Sequence, residues 1–173
     1  GSKKGKKFKV ETPTSFMIFI EFCNGAIIDG MSSFDVINHQ RNHMELYGTQ
    51  GSVIIPDPNM FGGPVFTSHS EGGKWIQHST EEMHLGKINI KNHSGKSNES
   101  NQQSNYRGIG LSEMISAIEN EVEHRCNGAL ALHVLELIES TIISAETNKQ
   151  INLKTTCLKP KPFDQIEISN LLK

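Results

Sequence analysis

Three absences narrow the function of this chain before any motif does. It has no glycine-rich phosphate loop. The nearest approach, Gly108-Ile109-Gly110, carries Glu113 where a dinucleotide fingerprint places its third glycine, and it follows a polar run instead of a strand. It has no Cys-x-x-Cys pair. Its three cysteines, Cys23, Cys126 and Cys157, are widely spaced, which argues against a disulfide framework or a zinc finger and fits a reducing cytoplasm. It also has no run near the roughly 20 continuous apolar residues of a membrane helix, and no apolar leader follows its lysine-rich start. Aromatics are scarce at 6%, with one tryptophan and two tyrosines; Tyr47 and Trp75 are expected to pack at sheet surfaces.

What is present describes an ordinary globular chain. With 173 residues, 35% hydrophobic and 21% charged, it fits one domain with a buried core. A net charge of −2 exerts no long-range pull on nucleic acid or anionic lipid. Lys3, Lys4, Lys6, Lys7 and Lys9 form a local basic run, expected to be a solvated linker over 1–9, with Gly1-Ser2 as a cloning remnant. The main domain is expected over 10–160 and a tail over 161–173.

Periodicity places the elements. Ser15 to Phe22 and Ala26 to Phe34 form a hairpin around Asn24-Gly25, which are expected to supply the positive backbone angles of a tight turn. In its first strand Phe16, Ile18, Ile20 and Phe22 share one face, yet the opposite face still carries Met17 and Phe19. A sheet wet on one side alternates more cleanly, so both faces are expected to be covered, the second by another subunit. Arg41–Tyr47, Ser52–Ile55, Val65–Ser68 and Lys74–His78 complete about six mostly antiparallel strands, with Ile151 and Leu153 marking one more. Residues 80–106 are polar and expected to form a mobile loop, either a lid or a plain insertion. Leu111, Met114, Ile115 and Ile118 make an apolar helical stripe. A second helix runs from Gly128 to Ala145, with Asn127 as N-cap, Asn148 as left-handed terminator and Leu130, Val134, Leu135, Ile138, Ile142 and Ala145 as its buried face. Pro160 and Pro162 open an irregular tail in which Ile166, Ile168, Leu171 and Leu172 are available to dock. The fold class is α+β: an open, predominantly antiparallel sheet with helices on one face and no Rossmann domain.

Several blocks, in order, carry a resemblance. They are Val10-Glu11-Thr12-Pro13-Thr14, Ser33-Phe34-Asp35-Val36, Glu45-Leu46-Tyr47-Gly48-Thr49-Gln50-Gly51 with Pro56-Asp57-Pro58-Asn59 and Phe61-Gly62-Gly63-Pro64-Val65, then Arg107-Gly108-Ile109-Gly110-Leu111 and His124-Arg125-Cys126-Asn127-Gly128-Ala129-Leu130-Ala131-Leu132-His133-Val134-Leu135. Together, over about residues 8–160, this pattern resembles the C-terminal domain of the glucose–fructose oxidoreductase, inositol dehydrogenase and MocA family of NAD(P)-dependent oxidoreductases. The resemblance implies a substrate-binding and oligomerisation domain that dimerises through its sheet face. Its nucleotide-binding partner domain and catalytic lysine, in a Glu-Lys-Pro motif, are not in this sequence. NAD or NADP would be bound by the full-length enzyme and not by this portion, and the substrate would be a sugar, cyclitol or related polyol.

No catalytic residue is therefore assigned. Asp35-Val36-Ile37-Asn38-His39 matches the spacing of the family's Asp-x-x-x-His pair but aligns with a different block, so the role is not transferred. The substrate-contact candidates are His39 near a strand edge, Tyr106 at the end of the polar loop, and His124 and Arg125 before the long helix, where donors and the helix dipole converge. For the last two an ordinary capping loop is the competing reading. His133, within the helix, is expected to be structural. His69, His78, His84 and His93 are too irregularly spaced for a metal site. Expected partners are a second copy, the nucleotide domain and a polyhydroxy small molecule, with neither nucleic acid nor membrane. A non-catalytic binding or scaffold protein of the same fold is the alternative, and complementation of a separately encoded nucleotide domain a third.

Overall fold

A computed structural model of the chain describes residues 2–87 and 106–172. It is α+β, built from antiparallel sheets and helices. The chain divides into two compact units, Gly1–Arg41 and Asn42–Lys173, with the boundary inside the span that the sequence presents as one domain.

The first unit consists of two hairpins. Strands β1 (Ser2–Lys3) and β2 (Lys6–Lys7) pair across Lys4-Gly5, whose φ angles of 50° and 77° are those of a two-residue turn matched to the strand twist. Strands β3 (Ser15–Glu21) and β4 (Ile27–Ser33) pair from Ser15↔Ser33 to Glu21↔Ile27. Of the two residues expected to turn this hairpin, only Gly25 has positive φ, at 83°. The loop has three residues, closed by Phe22 N donating to Ala26 O at 2.9 Å, and Asn24 contributes through its side chain, which accepts from Ala26 N. The base of the hairpin is tied by Asp35, which accepts hydrogen bonds from Thr14 and Ser15; these hold its carboxyl below the usual range, the Thr14 bond most strongly.

The alternation along β3 is the one the residues imply. Phe16, Ile18 and Ile20 are half-buried, whereas Met17 and Phe19 are 77% and 79% exposed. Directly opposed residues share a face, so the register adds Met31 and Ile27 to the bare side.

The second unit holds a four-stranded meander, β5 (Met44–Gly48), β6 (Gly51–Ile55), β7 (Val65–Ser68) and β8 (Ile76–His78), ordered β5-β6-β7-β8. The expected strands are thus divided between separate sheets. Hairpin register is fixed by local turns, but which hairpin adjoins which is decided by long-range pairing that no local pattern encodes. The extra strand expected at Ile151 and Leu153 does not form. The backbone N–H groups that would have joined a sheet, those of Lys154 and Thr155, are taken by the Glu136 carboxylate at 2.8 Å each.

Among the described residues three α-helices follow: α1 (Ile109–Glu119), α2 (Gly128–Thr147) and α3 (Gln165–Leu171). Asn127 caps α2, accepting from Leu130 N at 2.9 Å, and Asn148 ends it at φ 53°, ψ 38°. The tail is more ordered than its prolines imply. Asp164 accepts from Glu167 N and starts α3, and Ile168, 3% exposed, is its anchor.

Both long helices turn unexpected faces inward. In α1 the buried residues are Ile109, Glu113 and Ala117, while Leu111, Ile115 and Ile118 are exposed. In α2 the inward side carries His133, Ser140 and Thr141 beside Leu137 and the expected Leu130, and Leu135, Ile138 and Ile142 lie bare. The apolar stripe read as the buried face of α2 is therefore mostly its outer face, because the polar side is held by hydrogen bonds to the segment that follows it. Among the described residues α2 alone is long and apolar enough to cross a membrane by length and composition. Its ties through His133 and Glu136 bind it to the rest of the unit.

Candidate functional site

Arg125 is the centre of the most connected polar cluster in the second unit. Its backbone N–H and its Nη1 both donate to Glu113 Oε1 of α1, at 2.9 and 3.2 Å. Nη1 and Nη2 fork onto the two carboxylate oxygens of Glu167 in α3, each at 2.7 Å. Nε donates to Lys161 O at 2.7 Å and Nη2 to Pro162 O at 3.4 Å. The guanidinium carbon lies 4.0 Å above the Phe163 ring. A guanidinium has five N–H donors, and here each has an acceptor within the protein. The fork onto Glu167 raises the Arg125 pKa further above its ordinary value, with Glu113 adding to it.

This geometry favours the capping-loop reading of Arg125. A substrate hydroxyl or carboxylate would find no donor to spare, so the side chain is a clasp joining α1, α3 and the stretch 161–163. Its neighbour His124 is half-buried at the same junction.

A second cluster lies in the loop between β6 and β7. Asp57 accepts from Asn59 N and starts a short 3-10 turn, Pro58–Met60. Phe61 follows with φ 67°, and Gly62 and Gly63 are buried against Gly86 and Thr80. The Thr80 hydroxyl lies 2.7 Å from Gly86 O and 3.0 Å from Gly63 O, and accepts from Gly63 N at 3.1 Å. Residues 80–87 are thus an ordered knot; the remainder of the expected mobile loop, with His93, lies outside the described residues. Tyr106 packs edge-on against Phe61 with ring centroids 5.3 Å apart, and Arg107 Nη2 reaches Asn59 O and Oδ1 at 3.3 and 3.2 Å. The two clusters are joined by His84, whose Nε2 lies 3.0 Å from Phe163 O. Tyr106, His124 and Arg125 therefore belong to one unit, while His39 is an exposed residue of the other.

A third group serves α2. Glu136 accepts from Lys154 N, Thr155 N and the Thr155 hydroxyl. These bonds, the hydroxyl first, lower its pKa from 4.5 to about 2. Because the single Thr155 hydroxyl proton goes to Glu136, the His133 Nδ1 at 2.9 Å must be the donor to Thr155 Oγ1. His133 is structural, as its position within the helix implied. Among the described residues no three His, Cys, Asp or Glu side chains are grouped to hold a metal ion.

The sequence reading missed Glu113, Glu167, Phe163, His84 and Thr80. Two signals were available. Ile109, Glu113 and Ala117 are spaced i, i+4, i+8, and Asp164-x-x-Glu167 is a helix-start signature. Comparison with known proteins adds nothing to this geometry: no family model, no curated protein and no solved structure matches the chain.

Proposed function

We propose that the chain is the substrate-binding and oligomerisation portion of a cytoplasmic NAD(P)-dependent oxidoreductase of the glucose–fructose oxidoreductase, inositol dehydrogenase and MocA type. On this reading the whole enzyme moves a hydride between nicotinamide and a hydroxyl-bearing carbon of a sugar, cyclitol or related polyol. The nucleotide and the catalytic lysine belong to another domain, and this portion shapes the pocket and builds the dimer.

The observation that carries the reading is the bare apolar surface on ordered β-structure. Met17, Phe19, Met31 and Ile27 share one face of the β3–β4 hairpin, and exposed apolar residues recur on α1 and α2. Contiguous exposed apolar patches on folded elements mark surfaces meant to be covered. The α+β architecture and the ordered sequence blocks agree with the family resemblance. On this reading Tyr106, His124 and His39 remain candidate substrate contacts, and Arg125 positions the elements around His124.

One observation favours the non-catalytic scaffold reading as a second. The saturation of Arg125 removes the most attractive substrate-binding cation from the site. Calorimetric titration with NAD⁺ and NADP⁺ tests the domain assignment. No binding heat is expected for this chain, and micromolar affinity for either nucleotide would overturn it.

A further inference from the structure

We propose that residues 161–172 form a detachable strap, with Arg125 as its lock, that unfastens from α1 as a unit while the rest of the second unit stays folded. The inference is independent of the redox reading. A seven-residue helix does not persist alone in water, since nucleation costs more than one or two turns return. The helicity of α3 is therefore conditional on docking.

Much of the docking passes through one side chain. Arg125 binds the strap at Lys161 O, Pro162 O and both oxygens of Glu167, and stacks on Phe163. His84 holds Phe163 O. Ile168 is the one buried apolar anchor of α3, and its neighbours Ile166 and Leu172 are exposed. The seat itself is incomplete. An open groove of about 320 Å³ runs beside the contact between the two helices, lined by Ser112, Ile115, Ser116 and Glu119 of α1 and by Asn170 and Leu171 of α3. The lead-in is preset: Pro160 and Pro162 fix the backbone before the helix, so the strap swings on a stiff arm instead of melting residue by residue.

Arg125 thus works as a latch with two jaws. Glu113 holds it to α1 when the strap is shut or open, whereas Glu167 belongs to the strap alone. Unfastening would leave the guanidinium on Glu113 and uncover the groove face of α1.

Hydrogen exchange of the full chain, read by mass spectrometry, tests this. Arg125→Lys keeps the charge on Glu113 but loses the fork, and leaves the sequence of α3 untouched. In the unaltered chain the α3 amides should open at a lower free energy than the α2 amides, and Arg125→Lys should speed α3 exchange by about tenfold or more, the equivalent of one charge-assisted hydrogen bond. Ile168→Ala, which removes the anchor and leaves the latch intact, should give the same pattern. Equal opening free energies for the α2 and α3 amides of the unaltered chain, or unchanged α3 exchange in either variant, would overturn the strap.

Discussion

Arg125→Ala should lower the unfolding free energy by about 2–4 kcal/mol. Taking out one member of a mostly buried ion pair strands the other, typically at 3–5 kcal/mol, and partial exposure of Glu167 reduces that figure. The side chain of Glu113 is 8% exposed, so once the guanidinium is gone its charge is held mainly by one backbone N–H. The ring of Phe163 loses its cationic partner and four strap acceptor atoms lose their donor. Removal of a solvated substrate contact would instead cost within about 0.5 kcal/mol. The two values are far enough apart for urea unfolding to separate them, as a fall in midpoint at constant slope. Adding Glu113→Gln to the variant should recover part of the loss, because the stranded charge is then removed, and strict additivity of the two changes would contradict the coupling.

Gly62→Ala should be among the most damaging conservative changes in the second unit. A β-carbon at residue 62 would lie 1.9 Å from the Gly86 carbonyl oxygen and 2.5 Å from its carbon. Both atoms are backbone, in a segment held by Thr80, so no side chain can swing aside. Overpacking of this kind costs about 3 kcal/mol, which at this size corresponds to a fall in Tm of roughly 6–12 °C. Gly110→Ala is the matched control. Its β-carbon meets nothing within 4 Å and it sits in the first turn of α1, so a neutral or slightly higher Tm is expected. Equal melting temperatures for the two variants would show that the loop and the knot at Thr80 are not in close contact.

The hairpins of β3–β4 and of the meander were legible because turn chemistry and alternation are local, whereas the β1–β2 hairpin lies in the lysine run that was expected to be a solvated linker. Gly25, Gly48 and Gly51 turn the chain where they should, and Val65–Ser68 is a strand over the very residues expected. Asn127 and Asn148 bounded α2 for the same reason: a cap is written in one or two residues. What failed was orientation. Apolar residues at i, i+3, i+4 normally mark the buried side of a helix, and in α1 and α2 polar contacts chose instead. Glu113 is drawn in by Arg125, and Glu136 by two backbone N–H groups. The same bonds explain the missing strand at Ile151–Leu153. Partners 12 to 42 residues apart in sequence leave no periodic trace, so the clasp at Arg125 was hidden although His124 and Arg125 had been singled out.

The account rests on the claim that the greasy outer faces of these elements are made for contact with another polypeptide. Sedimentation equilibrium at roughly 100 μM, well above the micromolar constants at the weak end of standard-sized interfaces, addresses it directly. A dimer or larger assembly is predicted, reduced to monomer when Met17 and Phe19 are both changed to aspartate. A stable monomer of the unaltered chain at that concentration would contradict it.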